Sequence, residues 1–441
     1  MTCTDLNCQR RSVRYSPRWT RLDTAFFLIG MKFMMFKQST ARLPVSRRQR
    51  LLPLLIIPGM TLAALAQAQT QAAGEGDVVR VHVGISATHE DNILGTSNAA
   101  IAAGAPKLSD TARRVEAGLI FDKTISQQRL TASLNLDRTS FNRFSNLDYN
   151  GRDIRANWNW HAGKHLEGNL GATHVRALTS VQDSLTVTGL PSQLPNVRTQ
   201  DRQYFDASWR LHPSWRLRGG LSHYELDYAQ TGPQVANRTV NDGEVGVDYL
   251  ARSGSSIGLQ YRHAEGEFQF SPLNDYSQDE IKGRVDWKLT GKTDLLFLAG
   301  WVQRDNDLAP ANDFSGFNGR VNATWRATGK TTVNASLWRE IGALDDQTAS
   351  YSLNRGISLG AGWEITQQLR LDGYYQHERR DYTPANLARK DRVNYGSLQL
   401  SYYPIRKLRI QTAVYRTAQG SDVAANAYRN VGVSLGTRYE F

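Results

Sequence analysis

The sequence predicts an all-β fold, a transmembrane antiparallel β-barrel of about eighteen strands, within two, with both ends of the sheet on the periplasmic side. Three observations predict it. Apolar and polar residues alternate with period two through most of the chain, the mark of strands with one apolar and one polar face. Aromatics recur at Trp209, Tyr249, Trp287, Trp325, Trp363 and Tyr402, in steps of 40, 38, 38, 38 and 39 residues, so each repeat is one hairpin. Short connections at one rim alternate with longer polar ones at the other, the asymmetry of membrane barrels.

The elements follow in chain order. Residues 1–68 read as a leader: Arg47, Arg48 and Arg50 precede the apolar run "LLPLLIIPGMTLAALAQA", which closes on Ala66-Gln67-Ala68. That is the pattern of a secretory signal peptide cleaved near Ala68. Pro53 and Pro58 inside the run argue against a spanning helix, and the length of the leader leaves Met31, Met34 or Met35 open as the translation start. Of the net charge of +12, nine units lie in this leader, where eleven Lys and Arg face only Asp5 and Asp23. The remaining +3 gives no reason to expect nucleic-acid binding. Both cysteines, Cys3 and Cys8, are in the leader, so the exported chain has no disulfide, thiolate metal site or thiol chemistry.

Residues 69–78 form a short periplasmic segment, and 79–441 form the barrel. No apolar run of about 18 residues follows the leader, so no transmembrane helix is expected. In "IKGRVDWKL", Ile281, Gly283, Val285, Trp287 and Leu289 oppose Lys282, Arg284, Asp286 and Lys288. "FNGRVNATWR" and "NRGISLGAGWE" repeat the pattern. Short turns fall at 123–128, 161–165, 212–215, 251–256, 290–294, 327–331, 364–368 and 403–407, and the far connections at about 89–110, 138–149, 176–199, 225–240, 264–277, 303–314, 340–351, 377–391 and 416–428. Strands of about ten residues would join them. A propeller also repeats at about 40 residues, but its blades bury both faces, and the charged second face here would be costly to bury.

Aromatics before the short turns, Trp158, Trp160, Trp209, Tyr249, Trp287, Trp325, Trp363, Tyr402 and the final Phe441, form a girdle at one membrane interface. The final stretch "NVGVSLGTRYEF" alternates to its last residue; it reads as the strand that closes the barrel, and removal of Phe441 should impair assembly rather than transport.

The opposite parity lines the interior. Its cations are Arg80, Arg129, Arg155, Arg210, Arg216, Arg218, Arg262, Lys282, Arg284, Arg320, Arg370, Arg409 and Arg438, candidate contacts for an anionic, hydroxyl-rich solute. Interleaved acids offer a plainer role, bracing the wall by cross-strand pairing, as Arg210 with Asp206 or Arg284 with Asp286 could do. For a rim hydrolase, His174, His223 and His263 have outward parity near the long connections, but no serine is placed beside them. No phosphate loop, zinc-protease motif or calcium loop is present, so no cofactor, metal or catalytic residue is expected.

"HEDNIL" (89–94), "QQRLTASLNLDRTSFNRFSNLDYNG" (127–151), "WNW" (158–160) and "LEGNLG" (166–171) resemble the EpsL-type outer-membrane barrels of exosortase-associated extracellular polysaccharide operons. The resemblance implies an outer-membrane, biofilm-associated export channel for an anionic exopolysaccharide, working beside periplasmic export proteins, with no catalytic residues to carry over. Outer-membrane lipid and lipopolysaccharide, and the barrel-assembly machinery acting on the last strand, are the other expected partners. A general small-solute porin is the alternative, and a rim hydrolase a further one.

Overall fold

The computed structural model describes residues 78–179, 197–229, 233–343, 351–383 and 389–441. The leader, the cleavage point near Ala68, the alternative starts and residues 69–77 lie outside the described residues. After β1 (Val79–Glu90) come a short helix α1 (Asn98–Ala102), β2 (Asp110–Ile125), β3 (Gln128–Phe141), β4 (Tyr149–Ala162), β5 (Leu166–Leu178) and β6 (Val197–His212). Next are β7 (Trp215–Tyr228), β8 (Arg238–Leu250), β9 (Ser256–Phe268), β10 (Tyr276–Thr290), β11 (Thr293–Asn306) and β12 (Phe314–Trp325). β13 (Thr331–Ala343), β14 (Tyr351–Glu364), β15 (Leu369–Thr383), β16 (Lys390–Ile405), β17 (Leu408–Ser421) and β18 (Tyr428–Glu440) complete the sheet.

Each strand pairs antiparallel with its neighbours in sequence, and β18 pairs back onto β1 from His82↔Glu440 to Glu90↔Gly432. The eighteen described strands therefore form a closed barrel, the strand number expected from the repeat. Closure removes both sheet edges, which lipid could not hydrogen-bond. The seam is fastened at both rims. At one, the Phe441 amide donates to Val81 O at 2.9 Å. At the other, buried Asn92 donates to Thr96 O and Arg429 O, and the Val431 amide donates to Asp91 Oδ1 at 2.7 Å.

All eight short connections fall where the sequence placed them. The sharpest are Ser126-Gln127, Pro213-Ser214, Gly291-Lys292 and Arg406-Lys407. Gly163 and Gly254 adopt φ of 66° and 85° in two of the others, a region that a side chain would strain.

The strand lengths differ from expectation. They run to 12–16 residues rather than about ten, and the long connections shrink to match, with 264–277 becoming 269–275 and 303–314 becoming 307–313. The reason is a reversal of phase. Along β9, Ile257, Leu259 and Tyr261 face outward, whereas Ala264, Gly266 and Phe268 face inward with Glu265 and Glu267 outside. On β7, Leu217 and Leu221 face out before Tyr224, Leu226 and Tyr228 turn in. Apolar-out alternation stops there, but pairing continues, so the barrel carries a mouth beyond its apolar band. The inward apolar residues pack there as clusters, Tyr224, Leu226, Tyr228 and Ala236 with Val240 on one side, and Leu94, Phe141 and Leu147 with Ile93, Leu108 and Phe144 near the seam.

Candidate functional site in the barrel lumen

Side-chain direction alternates along each strand, so the register decides what lines the lumen. Arg80, Arg129, Arg155, Arg210, Arg216, Arg218, Arg262, Lys282, Arg284, Arg320, Arg370, Arg409 and Arg438 all share the inward parity. They do not form open positive rings, because carboxylates on the same face take most of them.

The densest network crosses β7 to β11. Asp248, whose side chain is 1% exposed, accepts from Arg216 Nη2 at 2.5 Å and from Arg218 Nε at 2.8 Å. Arg262 bridges Glu280 at 2.9 Å and Asp242 at 3.2 Å, and Lys282 donates to the other Glu280 oxygen at 2.5 Å. Gln278 joins Glu280 to buried Arg304, whose guanidinium lies 3.8 Å from the Tyr276 ring centroid. Such a buried group of charges persists only when each member finds its partner.

Elsewhere the pairs are smaller. Arg320 takes Glu340 in a two-point contact at 3.1 and 2.6 Å. Arg155 holds Asp153, Arg129 holds Asp122 and Arg370 holds Asp372. At the seam Arg80 faces Glu440 and Arg438 faces Glu116, each at 3.9 Å. The two pairs suggested by spacing are not formed. Asp206 accepts from Asn169 instead of Arg210, and Asp286 pairs with Lys288 at 3.1 Å instead of Arg284. For Asp206 the direct cross-strand neighbour Asn169 is closer than a residue four apart on its own strand, since neighbouring strands lie about 4.8 Å apart.

Sequence reading missed inward Arg114, which bridges Asp137 and Glu116, and Arg304, Arg380 and Arg238, which it assigned to connections. It also missed an aromatic row: Tyr374, Tyr395 and Tyr415 follow one another at 6.0 and 6.5 Å on β15, β16 and β17. Trp338 on β13 also faces inward, donating from Nε1 to Glu378 at 3.1 Å. A Cβ on its cross-strand partner Gly356 would collide with the Trp338 ring. The usable signal was a glycine opposite an inward ring, repeated at Tyr415 and Gly432.

On the outer wall, Trp158, Trp209, Tyr249, Trp287, Trp325, Trp363, Tyr402 and Phe441 are exposed toward the short-turn rim. Trp160 is half-buried against Phe205, stacked at 5.9 Å. Trp215, overlooked within the "HPSW" turn, packs edge-on against Tyr249 at 5.4 Å. A second level includes Tyr261, Trp301 and Phe317. From Phe317 to Trp325 is about 26 Å of strand, or about 20 Å of height at a tilt of roughly 40°, near the apolar band of a membrane barrel, about 25 Å tall.

His174, His223 and His263 are on the outer wall near the mouth, each against the residue directly across the sheet: Asp201 at 2.7 Å, Asn241 at 2.7 Å and Asp279 at 2.8 Å. Among the described residues, no serine hydroxyl joins these rings.

An apolar outer wall bounded by aromatic levels, around a charged inner wall, defines a transmembrane barrel of the outer-membrane type with porin-like architecture. Residues 281–441 match the sequence profile of the family described as "Putative beta-barrel porin 2". No curated protein matches the chain in sequence. Similar solved structures include Pseudomonas aeruginosa OccK2 (OpdF), with TM-score 0.47 and 11% identity over 82% of this chain and 97% of that one. P. aeruginosa OccK9 (OpdG) gives 0.43 and 15% over 83% and 100%. A BenF-like porin from Pseudomonas fluorescens Pf-5 gives 0.44 and 10% over 82% and 99%. Likeness at this level does not extend to a solute.

Proposed function

We propose that the protein is a porin-like channel of the outer membrane that passes small polar solutes, with the short-turn rim, Val79 and Phe441 on the periplasmic side. The observation that carries this reading is the pairing of the inner wall. The thirteen cations that the sequence offered as an anion track are set among Asp and Glu, with Asp248, Glu280 and Glu340 each holding one or two. A passing polyanion would have to compete with these fixed carboxylates, whereas a small polar solute meets a neutralised surface.

The test is conductance in planar bilayers under a salt gradient. A conducting pore with a reversal potential near zero is expected. Absence of conductance, or anion preference above about tenfold, overturns the reading.

A second reading, passage of an extracellular polysaccharide, is supported by the Tyr374, Tyr395 and Tyr415 row, since sugars stack on rings, and by the resemblance of residues 79–171 to EpsL-type barrels. Periplasmic export proteins would then be its partners. Deleting the gene should stop surface polysaccharide while synthesis continues; normal surface levels in the deletion strain would sink it.

A further inference from the structure

We infer that the outer wall of β13–β16 carries a binding site for a phosphorylated lipid headgroup of the outer leaflet, lipopolysaccharide phosphates being the occupant. This rests on the proposed orientation, with the long connections facing outward. Arg339, Arg355, Arg379 and Arg392 are direct cross-strand partners in unbroken succession: Arg339↔Arg355, Arg355↔Arg379 and Arg379↔Arg392. All four share the outward parity of Leu337, Ile357, Tyr375 and Leu398, so they form one continuous ladder on the lipid side. Adjacent strands lie about 4.8 Å apart, so the four ladder positions span about 14 Å.

Like charges placed directly opposite destabilise a sheet, and the wall supplies little counter-charge to relieve them, although Arg339 Nη1 donates to the Phe317 carbonyl oxygen. Asp381 approaches Arg355 at 3.7 Å, and among the described residues no other carboxylate lies within 4.0 Å of the four. This contrasts with the inner wall, where the arginines sit on acids. An external polyanion would supply the missing counter-charge through planar, two-point contacts.

The level of the ladder selects a lipid over a free anion. Leu337 and Ile357, two residues toward the band from Arg339 and Arg355, are 58% and 49% exposed on the same face. Acyl chains against that surface bring their headgroups to the arginines. The mouth on β6–β11 bears the reverse charge: the outward positions within five residues of the long connections there include Asp201, Glu225, Glu265, Asp279 and Asp305, with no Lys or Arg, whereas on β2–β5 Arg113, Arg138 and the pair Arg152↔Arg176 also face outward. Phosphate groups are thus directed away from β6–β11.

The test is native mass spectrometry of the purified barrel in detergent, titrated with bis-phosphorylated lipid A, its dephosphorylated form, phosphatidylglycerol and inorganic phosphate. Wild-type protein should retain lipid A over the other three. The double variant R355E/R379E should lose it by at least about tenfold, as expected at roughly 1 kcal/mol per basic residue near an anionic surface. The neutral single variant Arg379→Gln, assayed alongside, should weaken retention about fivefold on the same scale and keeps the test valid if the double variant fails to show the heat-modifiable mobility of a folded barrel. Undiminished retention by the folded variants overturns the site. Displacement of lipid A by millimolar phosphate would make it a free-anion site, and preference for phosphatidylglycerol would remove it from the outer leaflet; either overturns the proposal. Loss of conductance without loss of lipid A binding would overturn the channel reading and leave this one standing.

Discussion

The two halves of each strand obey opposite rules. In β7, the half toward the short turns presents Trp215, Leu217 and Leu221 outward and Arg216 and Arg218 inward; the half toward the long connections presents His223, Glu225 and Asp227 outward and Tyr224, Leu226 and Tyr228 inward. A surface that is apolar outside suits lipid, and one that is apolar inside suits water. The same chain, in the same hydrogen-bonded ladder, passes from one solvent to the other at about Ser222. The charges change with it: arginines in the band are inside and mostly paired, whereas those of the mouth also stand outside, in a ladder largely without acids.

Four substitutions would break or sharpen this contrast. The largest effect is expected at Asp248, in the band half, where Asp248→Ala strands two inward guanidiniums; urea unfolding in vesicles should lose about 3–5 kcal/mol. In the mouth half, Leu226, fully buried, should behave as a soluble-protein core residue, and Leu226→Ala should cost about 2–5 kcal/mol by the same measurement. A matched pair tests the boundary itself: Leu221→Arg, facing lipid, should cost about 2–4 kcal/mol, whereas Glu225→Arg, two repeats of the pleat further on, should stay within about 0.5 kcal/mol. Equal costs at the two positions would abolish the boundary.

A more local effect belongs to the loop that fastens the seam. Burial alone would raise the Asp91 carboxyl, but hydrogen bonds from Lys107 and the Val431 amide hold it below its ordinary value of 3.8. A depressed carboxyl contributes stability that is present above its unfolded value and lost as pH falls through the folded one. Amide exchange at Val431 should therefore accelerate selectively below about pH 4, and Lys107→Met should cost no more than about 1 kcal/mol, the pair being partly exposed. Exchange at Val431 that ignores pH would remove Asp91 from the latch.

The band half was legible and the mouth half was not, for one physical reason. Period-two alternation with rings every 38–40 residues marks a strand wherever one face meets lipid, so Ile281 to Leu289 and Phe317 to Trp325 could be assigned from their residues alone. In "SHYELDYAQ" the alternation persists but its apolar parity changes from odd to even at Ser222. A template requiring one apolar face along the whole strand reads that change as a connection. The same inversion hid Arg304 beyond Val302, and the row of tyrosines was hidden because inward rings look like mistakes in an apolar-out pattern. Ion pairs were legible in kind but not in detail: the residues pointing inward were read from parity, but which Asp meets which Arg depends on register, as Arg216 and Arg218 meeting Asp248 on the next strand illustrates.

The seam between β1 and β18 has a consequence for how the molecule forms. Glu90 and Asn430 are hydrogen-bonded at a sequence separation of 340, the most distant kind of contact the chain makes, while the other seventeen strand junctions join neighbours in sequence. Loop-closure entropy rises with the logarithm of the intervening length, and non-local pairing slows folding. Hairpins along the repeat can zip early, so the last event is one long-range closure between two unpaired edges. Until it occurs those edges are the chain's main route to aggregation, and a substitution at the seam, such as Asn92→Ala, should lengthen that exposed interval more than it alters the finished barrel.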